Sequence, residues 1–346
     1  MAWTAEPRFA DPDAVLLEAA RQWRARVDPA DLRHLVESLP APRSRLHAPA
    51  AMAATDELIA AEWQAAGWRV QRQPLDLTNE PGNLDYKEHG TRLQHLVYPA
   101  LSGVNLIAEL PGQSKEAIVF VGHHDTVRGS PGADDNGAAV VALLVLARLL
   151  AGRRFRRTVI LATPDFEEIG LIGSRHLVPW LRERYRVTGA IVLDAIGYFD
   201  PTPGAQHLPG GIGALYPGQI RRLRARGFAG DTLFNLYQAR GAELARTWAR
   251  CLATTIGRDR VLLVRDPHDL PVLGPVARAI PATRNFSRSD HVDFWRARLP
   301  AVMVSTTGEF RNPNYHEPTD LPATLDYETL ADIVAAAALA VEQLAG

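Results

Sequence analysis

The sequence predicts an α/β protein built on a central, largely parallel sheet that helices cover on both faces. Four nearly continuous apolar runs, typical of strands buried on both faces, lie at residues 117–122, 158–163, 190–194 and 301–306. Stretches with helical length and spacing lie between them, at 136–152 and 173–185. Strands that alternate with helices favour a parallel sheet, because parallel strands need a long crossover connection.

The segments outside this alternation extend the same architecture. Further helices are predicted at residues 28–39, 54–67 and 326–344. Flanking strands are predicted at residues 68–77 and 103–110. Thr55 or Asp56 is predicted to cap the second of these helices. The chain has no internal repeat, and its length suits one large domain or two modest ones, of which we predict a single domain over residues 1–346.

Composition and charge argue against several classes of protein. The chain has 346 residues, of which 47% are hydrophobic and 22% are charged, as in ordinary globular proteins. The formal net charge of −1 gives no support for a nucleic-acid or membrane-surface partner. The longest apolar run, residues 138–147, is about half of the roughly 20 residues that a membrane span requires. We therefore expect neither nucleic acid nor a membrane as a partner.

The cysteine content and the N-terminus predict a cytoplasmic protein. Cys251 is the single cysteine, so no internal disulfide can form, which fits a reducing compartment. The first residues lack the basic start and apolar core of a signal peptide.

Residues 200–235 depart from the alternation of strands and helices. The segment is dense in glycine and proline, and we expect it to be irregular. A long irregular segment within a domain is often a lid or a substrate-binding insertion, although an unstructured insertion has the same composition. The segment also carries Arg221, Arg222, Arg224 and Arg226.

Acidic residues and histidines follow each predicted central strand. In chain order they are His123, His124 and Asp125, then Asp134 and Asp135 at the start of a helix, Glu167 and Glu168, Asp194, and His316 after Tyr315. Because the carboxyl ends of parallel strands share one edge of the sheet, these side chains are expected to lie together.

Such a cluster predicts a metal site. Clustered acids repel one another and their pKa values rise unless cations neutralise them. Imidazole and carboxylate ligands suit zinc, and also manganese or cobalt. There are too many candidate ligands for one tetrahedral ion, so we expect two ions that share a bridging carboxylate.

At this point the motifs resemble a known family. The segments "GHHDTV", "GADDNG", "FEEIGLIGS", "LDAIGY", "RSDHVDF" and "NPNYHEPTD", in this order, are similar to those of the two-zinc aminopeptidases that include bacterial leucyl aminopeptidases and glutamate carboxypeptidase. The resemblance covers roughly residues 100–325. It implies a three-layer α/β/α zinc-peptidase fold with a mostly parallel mixed sheet, and a cis peptide between Asp135 and Asn136.

The resemblance also implies roles for individual residues. The implied metal ligands are His123, Asp135, Glu168, Asp194 and His316. His123 and Asp194 would share one zinc ion, Glu168 and His316 would hold the other, and Asp135 would bridge the two. Glu167 resembles the general base that takes a proton from the bridging water and returns it to the leaving amine.

Further roles concern the surroundings of the ligands. Asp125 has the spacing to orient the imidazole of His123. Tyr315 resembles a tyrosine that donates a hydrogen bond to the developing oxyanion, with simple packing at the rim as the alternative. Arg288 is expected near the amine or carbonyl end of the substrate, and Asp290 and His291 are expected to support the site.

One departure from the family pattern affects a candidate ligand. His124 stands where relatives often carry a tyrosine, and it competes with its neighbour His123 as the ligand. The His-x-Asp spacing to Asp125 favours His123.

Rival chemistries find less support. Pro318 breaks the "HEPTD" segment as a zincin helix, and no Gly-x-Ser-x-Gly elbow is present. A glutaminyl-cyclase-like enzyme would use one zinc ion, and a carboxypeptidase would need a cationic pocket, for which residues 221–226 are candidates. A non-catalytic relative would have lost ligands. We therefore predict a metallo-aminopeptidase that acts on short peptides, with its side-chain preference and oligomeric state left open.

Overall fold

The sheet of this protein has a mixed topology. The computed structural model describes residues 6, 8–85, 94–270 and 274–346. Within them the strands are β1 Arg69–Asn83, β2 His95–Leu110, β3 Ser114–Val121, β4 Arg157–Thr163, β5 Arg186–Leu193, β6 Leu233–Tyr237, β7 Val261–Arg265 and β8 Ala301–Ser305. They form one sheet in the order β1-β2-β4-β3-β5-β8-β6-β7. The prediction that the N-terminus is not a signal peptide falls partly on residues 1–5 and 7, which lie outside the described residues.

The central strands run parallel and the outer ones do not. Strands β4, β3, β5 and β8 pair in parallel, whereas β1 and β2 form an antiparallel pair beside β4. On the other side, β6 is antiparallel to β8 and parallel to β7. The predicted α/β class with a mostly parallel mixed sheet is confirmed. The sequence interpretation missed β6 and β7, which are short, and β6 begins within the Gly- and Pro-rich segment.

Helices cover both faces of the sheet. They are α1 Ala14–Arg24, α2 Pro29–Ser38, α3 Pro49–Ala65, α4 Ala138–Leu150, α5 Ile172–Arg184, α6 Pro217–Ala225, α7 Ala242–Thr255, α8 Gly274–Ala277, α9 His291–Arg296 and α10 Tyr327–Ala345. In β3, Ile118 and Phe120 pack in one cluster with α4, α7 and α10. Val119 and Val121, which point to the opposite face, pack with α5 and α9.

The central helix α4 is enclosed by other elements on nearly all sides. Its residues are buried except for Arg148, which is only partly buried and pairs with Asp31 and Glu62. A helix that is apolar on all sides must be enclosed by other elements. In this fold α4 contacts α10, α2 and α3 and packs in one core with the sheet residues of that face.

The predicted start of the helix at 54–67 is wrong. Helix α3 begins at Pro49, a residue suited to the first turn because it needs no amide hydrogen bond there. Thr55 and Asp56 therefore lie inside the helix, where both are buried. The side chains of Thr55 and Asp56, which suggested a helix cap, make contacts within the fold instead.

Residues 200–235 are more ordered than predicted. Asp200 pairs with Gly230 in an isolated bridge, and the chain between them contains α6. Ile212, Tyr216 and Leu223 pack in an apolar cluster with residues of β6 and β7. The prediction of irregular structure is wrong for α6, and the role of the segment as a lid or insertion stays a prediction. No helix in the described part of the chain is both long and apolar enough to span a bilayer.

Candidate active site

The predicted site residues meet at the carboxyl edge of the four central strands. His123 and Asp125 follow β3, Glu167 and Glu168 follow β4, and Asp194 follows β5 directly. The loop after β8 carries Tyr315 and His316, and the turn before α4 carries Asp135. Adjacent parallel strands thus bring residues from distant parts of the chain into one cluster.

Asp135 lies at the centre of this cluster. Its Oδ1 is 3.2 Å from Nε2 of His123, and its Oδ2 is 3.0 Å from Nε2 of His316. The same nitrogen of His316 is 3.3 Å from Oε2 of Glu168. One carboxylate therefore stands between two imidazoles that approach it from opposite oxygens.

Two groups of three residues have a spacing that suits a metal ion. His123, Asp135 and Glu168 each offer a ligand atom within 4.8 Å of the others. His123, Asp194 and Glu167 form a second such group, in which Nε2 of His123 and Oε2 of Glu167 are 3.9 Å apart. Glu167 thus lies as close to His123 and Asp194 as a ligand would, so its role as base rather than ligand stays a prediction.

The turn that carries Asp135 is held by main-chain and side-chain contacts. The peptide between Asp135 and Asn136 is cis, as predicted. The Asn136 amide donates to the carbonyl oxygen of Leu193 at 2.9 Å. The carboxylate of Asp320 accepts from the N–H groups of Asp134 at 3.0 Å and Asp135 at 3.1 Å. The sequence interpretation missed Asp320, although a buried turn that opens a helix needs an acceptor for its free N–H groups.

Asp125 connects the loops after β3 and β4. Its Oδ1 accepts from the N–H of Glu167 and its Oδ2 from the N–H of Glu168, both at 3.2 Å. The same Oδ1 is 3.4 Å from Nδ1 of His123. One buried carboxylate therefore sets the position of a histidine and of both glutamates.

The ring of His124 lies outside the cluster. Its Nδ1 is 2.9 Å from the carbonyl oxygen of Pro164, and its Nε2 is 3.0 Å from Oδ1 of Asp56. Arg45 bridges Asp56 and Asp165 from the other side. Consecutive side chains at a strand end point in opposite directions, so the alternative of His124 as a metal ligand is wrong.

Burial and mutual repulsion shift the pKa values of the acidic residues. Burial raises the pKa of Glu167 well above its usual range and that of Glu168 to about 7, helped by nearby carboxylates. Burial likewise raises the pKa of Asp194.

The pKa values of the histidines also rise, for a different reason. Burial opposes protonation, but the surrounding carboxylates raise the pKa of His316 to about 10 and that of His123 well above its ordinary value. The cluster therefore carries unbalanced negative charge that a cation would neutralise.

Several buried polar atoms at this place make no hydrogen bond of normal geometry within the described residues, although some of them face each other at 3.0–3.2 Å. They include Oδ1 of Asp135, Oε1 of Glu168 and both ring nitrogens of His316. Leaving such atoms buried and unpaired costs free energy. Carboxylate oxygen and imidazole nitrogen are ligands that zinc accepts, so the residues present fit a metal ion.

An apolar cavity of about 130 Å³ adjoins the cluster. Asp194, Tyr315 and Arg288 lie where it borders the cluster, and its walls include Ile212, Tyr216, Leu223, Phe234, Val264 and Phe286. The walls are therefore built partly from residues 200–235 and partly from β6, β7 and the turn before α9.

The charged groups around the cavity are mostly paired. Nη1 of Arg288 lies 2.5 Å from Oε1 of Glu309, and both residues line the cavity. On α6, Ile220 and Leu223 line the cavity. Arg222 and Arg226 of the same helix pair instead with Glu6 and Asp231 and are not among the described residues of the lining.

Tyr315 and His291 have well-defined surroundings. The ring of Tyr315 stacks on that of His316 with centroids 3.9 Å apart, and burial raises its pKa well above the ordinary value. Nε2 of His291 lies 3.0 Å from the carbonyl oxygen of Phe286, and burial lowers the pKa of His291 to about 4. His291 therefore supports the turn that precedes α9.

Sequence comparison places these residues in a wider group. Residues 105–215 match the model of peptidase family M28, and this segment contains all the predicted ligands except His316. The chain is 27% identical over 291 residues to YfbL, an uncharacterized protein of Escherichia coli (strain K12). The aligned region covers 80% of this chain and 76% of YfbL. It is 34% identical over 96 residues to leucine aminopeptidase 2 of Trichophyton equinum, covering 27% of this chain and 19% of that protein.

Solved structures share the fold over nearly the whole chain. The zinc aminopeptidase BSAP from Bacillus subtilis superimposes with a TM-score of 0.63 at 16% identity, covering 94% of this chain and 95% of BSAP. The glutaminyl cyclase of Porphyromonas gingivalis superimposes with a TM-score of 0.62 at 16% identity, covering 92% and 99%. The same architecture thus occurs in enzymes with two different reactions.

Proposed function

We propose that this chain, whose residues 105–215 match the model of peptidase family M28, is a metal-dependent aminopeptidase that removes N-terminal residues from short peptides. The observation that carries the proposal is the position of Asp135 between His123 and His316, next to an apolar cavity. A metal cluster beside a cavity for one side chain is what the hydrolysis of a terminal peptide bond requires.

The proposed cofactor is a pair of zinc ions, with manganese or cobalt as substitutes. His123 and Asp194 would hold one ion, Glu168 and His316 the other, and Asp135 would contact both. The unpaired atoms of Asp135, Glu168 and His316 support this assignment. Zinc, when bound, would supply Lewis-acid polarisation of the scissile carbonyl and a more acidic water.

Glu167 is proposed to move the proton. Its carboxylate would accept a proton from the attacking water and donate it to the leaving amine. Its burial raises its pKa, whereas a neighbouring cation would lower it again. A carboxylate under these two opposed influences can both accept and release a proton near neutral pH.

Two further residues would assist Glu167. Asp125 binds the N–H groups of both glutamates and so would keep the base in place relative to His123. Burial keeps the Tyr315 hydroxyl protonated at neutral pH, so it can donate to the carbonyl oxygen as negative charge develops.

The cavity indicates which N-terminal residues would be cleaved. An apolar cavity of about 150 Å³ accommodates a benzene ring, and this one is of similar size, about 130 Å³. Phe234, Val264 and Phe286 would contact the substrate side chain. We therefore propose a preference for large apolar side chains such as leucine and phenylalanine.

The charges around the cavity favour an aminopeptidase over a carboxypeptidase. The described lining residues include one arginine or lysine, Arg288, and its charge is already paired with Glu309. A substrate carboxylate would have to compete with Glu309 for that guanidinium.

Composition supports the proposed location and partners. We propose a cytoplasmic enzyme, because the single cysteine, Cys251, cannot form an internal disulfide, which fits a reducing compartment. With a net charge of −1, short peptides are proposed as partners rather than nucleic acid or membranes.

The decisive experiment compares L-leucine amide with its N-acetylated form, with and without a chelator, followed by addition of zinc or cobalt. We expect cleavage of the free amine alone, loss of activity with the chelator, and recovery with either metal. If both amides stay intact while the protein binds metal, the aminopeptidase proposal fails. Carboxypeptidase substrates and N-terminal glutaminyl peptides would then be tested.

A further inference from the structure

The turn before α9 forms one wall of the cavity, and His268 connects it to the residue that follows β7. This turn is the 3-10 segment Pro281–Ser287, which carries Phe286. The ring of Phe286 stacks on Tyr216 at 5.8 Å, and both rings line the cavity. The position of Phe286 therefore sets the width of the cavity.

Thr283 connects this turn to His268. In a 3-10 helix, side chains three residues apart lie one above the other, so Thr283 and Phe286 share one face of the turn. Thr283 is fully buried, and its Oγ1 is 3.0 Å from Nε2 of His268. A shift of this contact would move Phe286 with it.

The direction of this hydrogen bond follows from the neighbours of the hydroxyl. Oγ1 of Thr283 lies 2.8 Å from the carbonyl oxygens of both Ala277 and Ile280, which can only accept. The one hydroxyl proton is used by these carbonyls, so the oxygen accepts the proton that Nε2 of His268 donates.

The other side of His268 is fixed to the end of the sheet. Its backbone N–H donates to Oδ1 of Asp266 at 3.0 Å, and Asp266 directly follows β7. Asp266 is buried and is itself bound to Gln238 through Oδ2 at 2.8 Å and to the carbonyl oxygen of Tyr237 through its N–H. A residue held at this many points gives His268 a rigid base.

We propose that His268 is a positioning residue for substrate side chains, because it holds Phe286 against Tyr216 through Thr283. This inference rests on the proposed function, since it concerns the cavity that would bind the N-terminal side chain. His268 would touch no substrate atom. Its loss would widen or distort the cavity and weaken the binding of large apolar side chains, while small side chains would be affected little.

The test compares kcat and KM for L-phenylalanine amide and L-alanine amide. In His268→Leu and Thr283→Val, KM for the phenylalanine substrate should rise about fivefold to tenfold, the effect of one lost buried hydrogen bond. KM for the alanine substrate and both kcat values should change less than about twofold. Thr283→Ser, which keeps the hydroxyl, should restore the low KM.

His34→Leu is the matched control, because it also removes one imidazole, but at an exposed position that does not touch the cavity. Equal losses for both substrates in His268→Leu, or no change in KM for either one, would overturn the proposal. Thermal melts identify a variant that has merely lost stability.

A binding experiment separates this proposal from the proposed function. 2-Phenylethylamine has an apolar ring and no bond to hydrolyse, and its affinity can be measured by calorimetry. We expect wild type to bind it and His268→Leu to bind it about fivefold to tenfold more weakly. If wild type cleaves neither amide, the aminopeptidase proposal fails and this comparison alone decides the role of His268. Equal affinity in both proteins, or no binding to wild type, would refute it.

Discussion

Nε2 of His316 lies 3.0 Å from Oδ2 of Asp135, in a loop and a turn that are far apart in the chain. The other oxygen of this carboxylate faces His123 at 3.2 Å. A carboxylate placed in this way could contact two ions through its two oxygens, as the proposed bridging role requires.

Replacing Asp135 should therefore prevent binding of both proposed ions. In Asp135→Ala we expect less than about a tenth of the wild-type metal content, because each proposed site loses a ligand. Mass spectrometry under native conditions measures the number of zinc ions per chain. Asp11→Ala, at an exposed aspartate, should keep two ions. Retention of two ions in Asp135→Ala would contradict the bridging role.

Glu167→Gln separates a base from a ligand. The amide has nearly the same shape as the carboxylate but cannot accept the proton, so kcat should fall about 10²- to 10⁴-fold while zinc content stays unchanged. Activity assays and metal analysis on the same sample measure both quantities. Loss of zinc from this variant would mean that Glu167 is a ligand, as its distance to His123 also allows.

Asp125→Asn tests the second carboxylate that organises the site. An amide group cannot accept from the N–H groups of Glu167 and Glu168 at the same time, since one of its two ends is a donor. Zinc affinity should fall about 10- to 100-fold, as is usual when a group that orients a metal-bound histidine is changed. Competition with a chelator of known affinity measures this loss, and unchanged affinity would contradict the prediction.

His291 should make the stability of the protein depend on pH. Its pKa is about 4 in the folded protein, below the ordinary value of 6.5, so the unfolded chain binds a proton that the folded chain does not. The contribution of His291 to the free energy of unfolding is complete above about pH 6.5 and decreases by about 3 kcal/mol as the pH falls towards 4. Denaturant unfolding of metal-free wild type and His291→Phe should show a steeper loss for wild type over this range. Parallel curves would refute the prediction.

Filling the cavity should change the preferred substrate. Val264 lines the cavity at the end of β7, and Val264→Phe would occupy space that a large side chain needs. The ratio of kcat/KM for phenylalanine amide to that for alanine amide should fall about tenfold or more. Val15→Phe, at a position with 80% exposure, is the control and should leave the ratio unchanged. A constant ratio in Val264→Phe would show that substrate side chains bind elsewhere.

The central part of the fold and the gathering of the site could be predicted from sequence. Strands buried on both faces are apolar throughout, and their carboxyl ends share one edge, so the polar residues that follow them had to meet. The structure brings His123, Asp135, Glu167, Glu168 and the other candidates together, while their individual roles remain predictions.

Contacts between distant segments could not be predicted in this way. Arg43 is buried and donates to the carbonyl oxygens of His124 and Gly132, which holds the two loops beside the cluster together. No periodic pattern marks such a residue, because its partners are main-chain groups that every residue possesses. Asp56 was misread for a related reason: its type suits a helix cap, but its partner, His124, lies far away in sequence.

The contacts of Asp320 bear on the order in which the protein folds. Asp320 binds the turn of Asp134 from a distance of 186 residues along the chain. Contacts between such distant residues form late, since the closure of a long loop must come first. A chain still being synthesised would therefore lack a finished zinc site until its last third had left the ribosome. A nascent chain stalled before residue 300 should retain no zinc, and tight binding at that length would disprove this order.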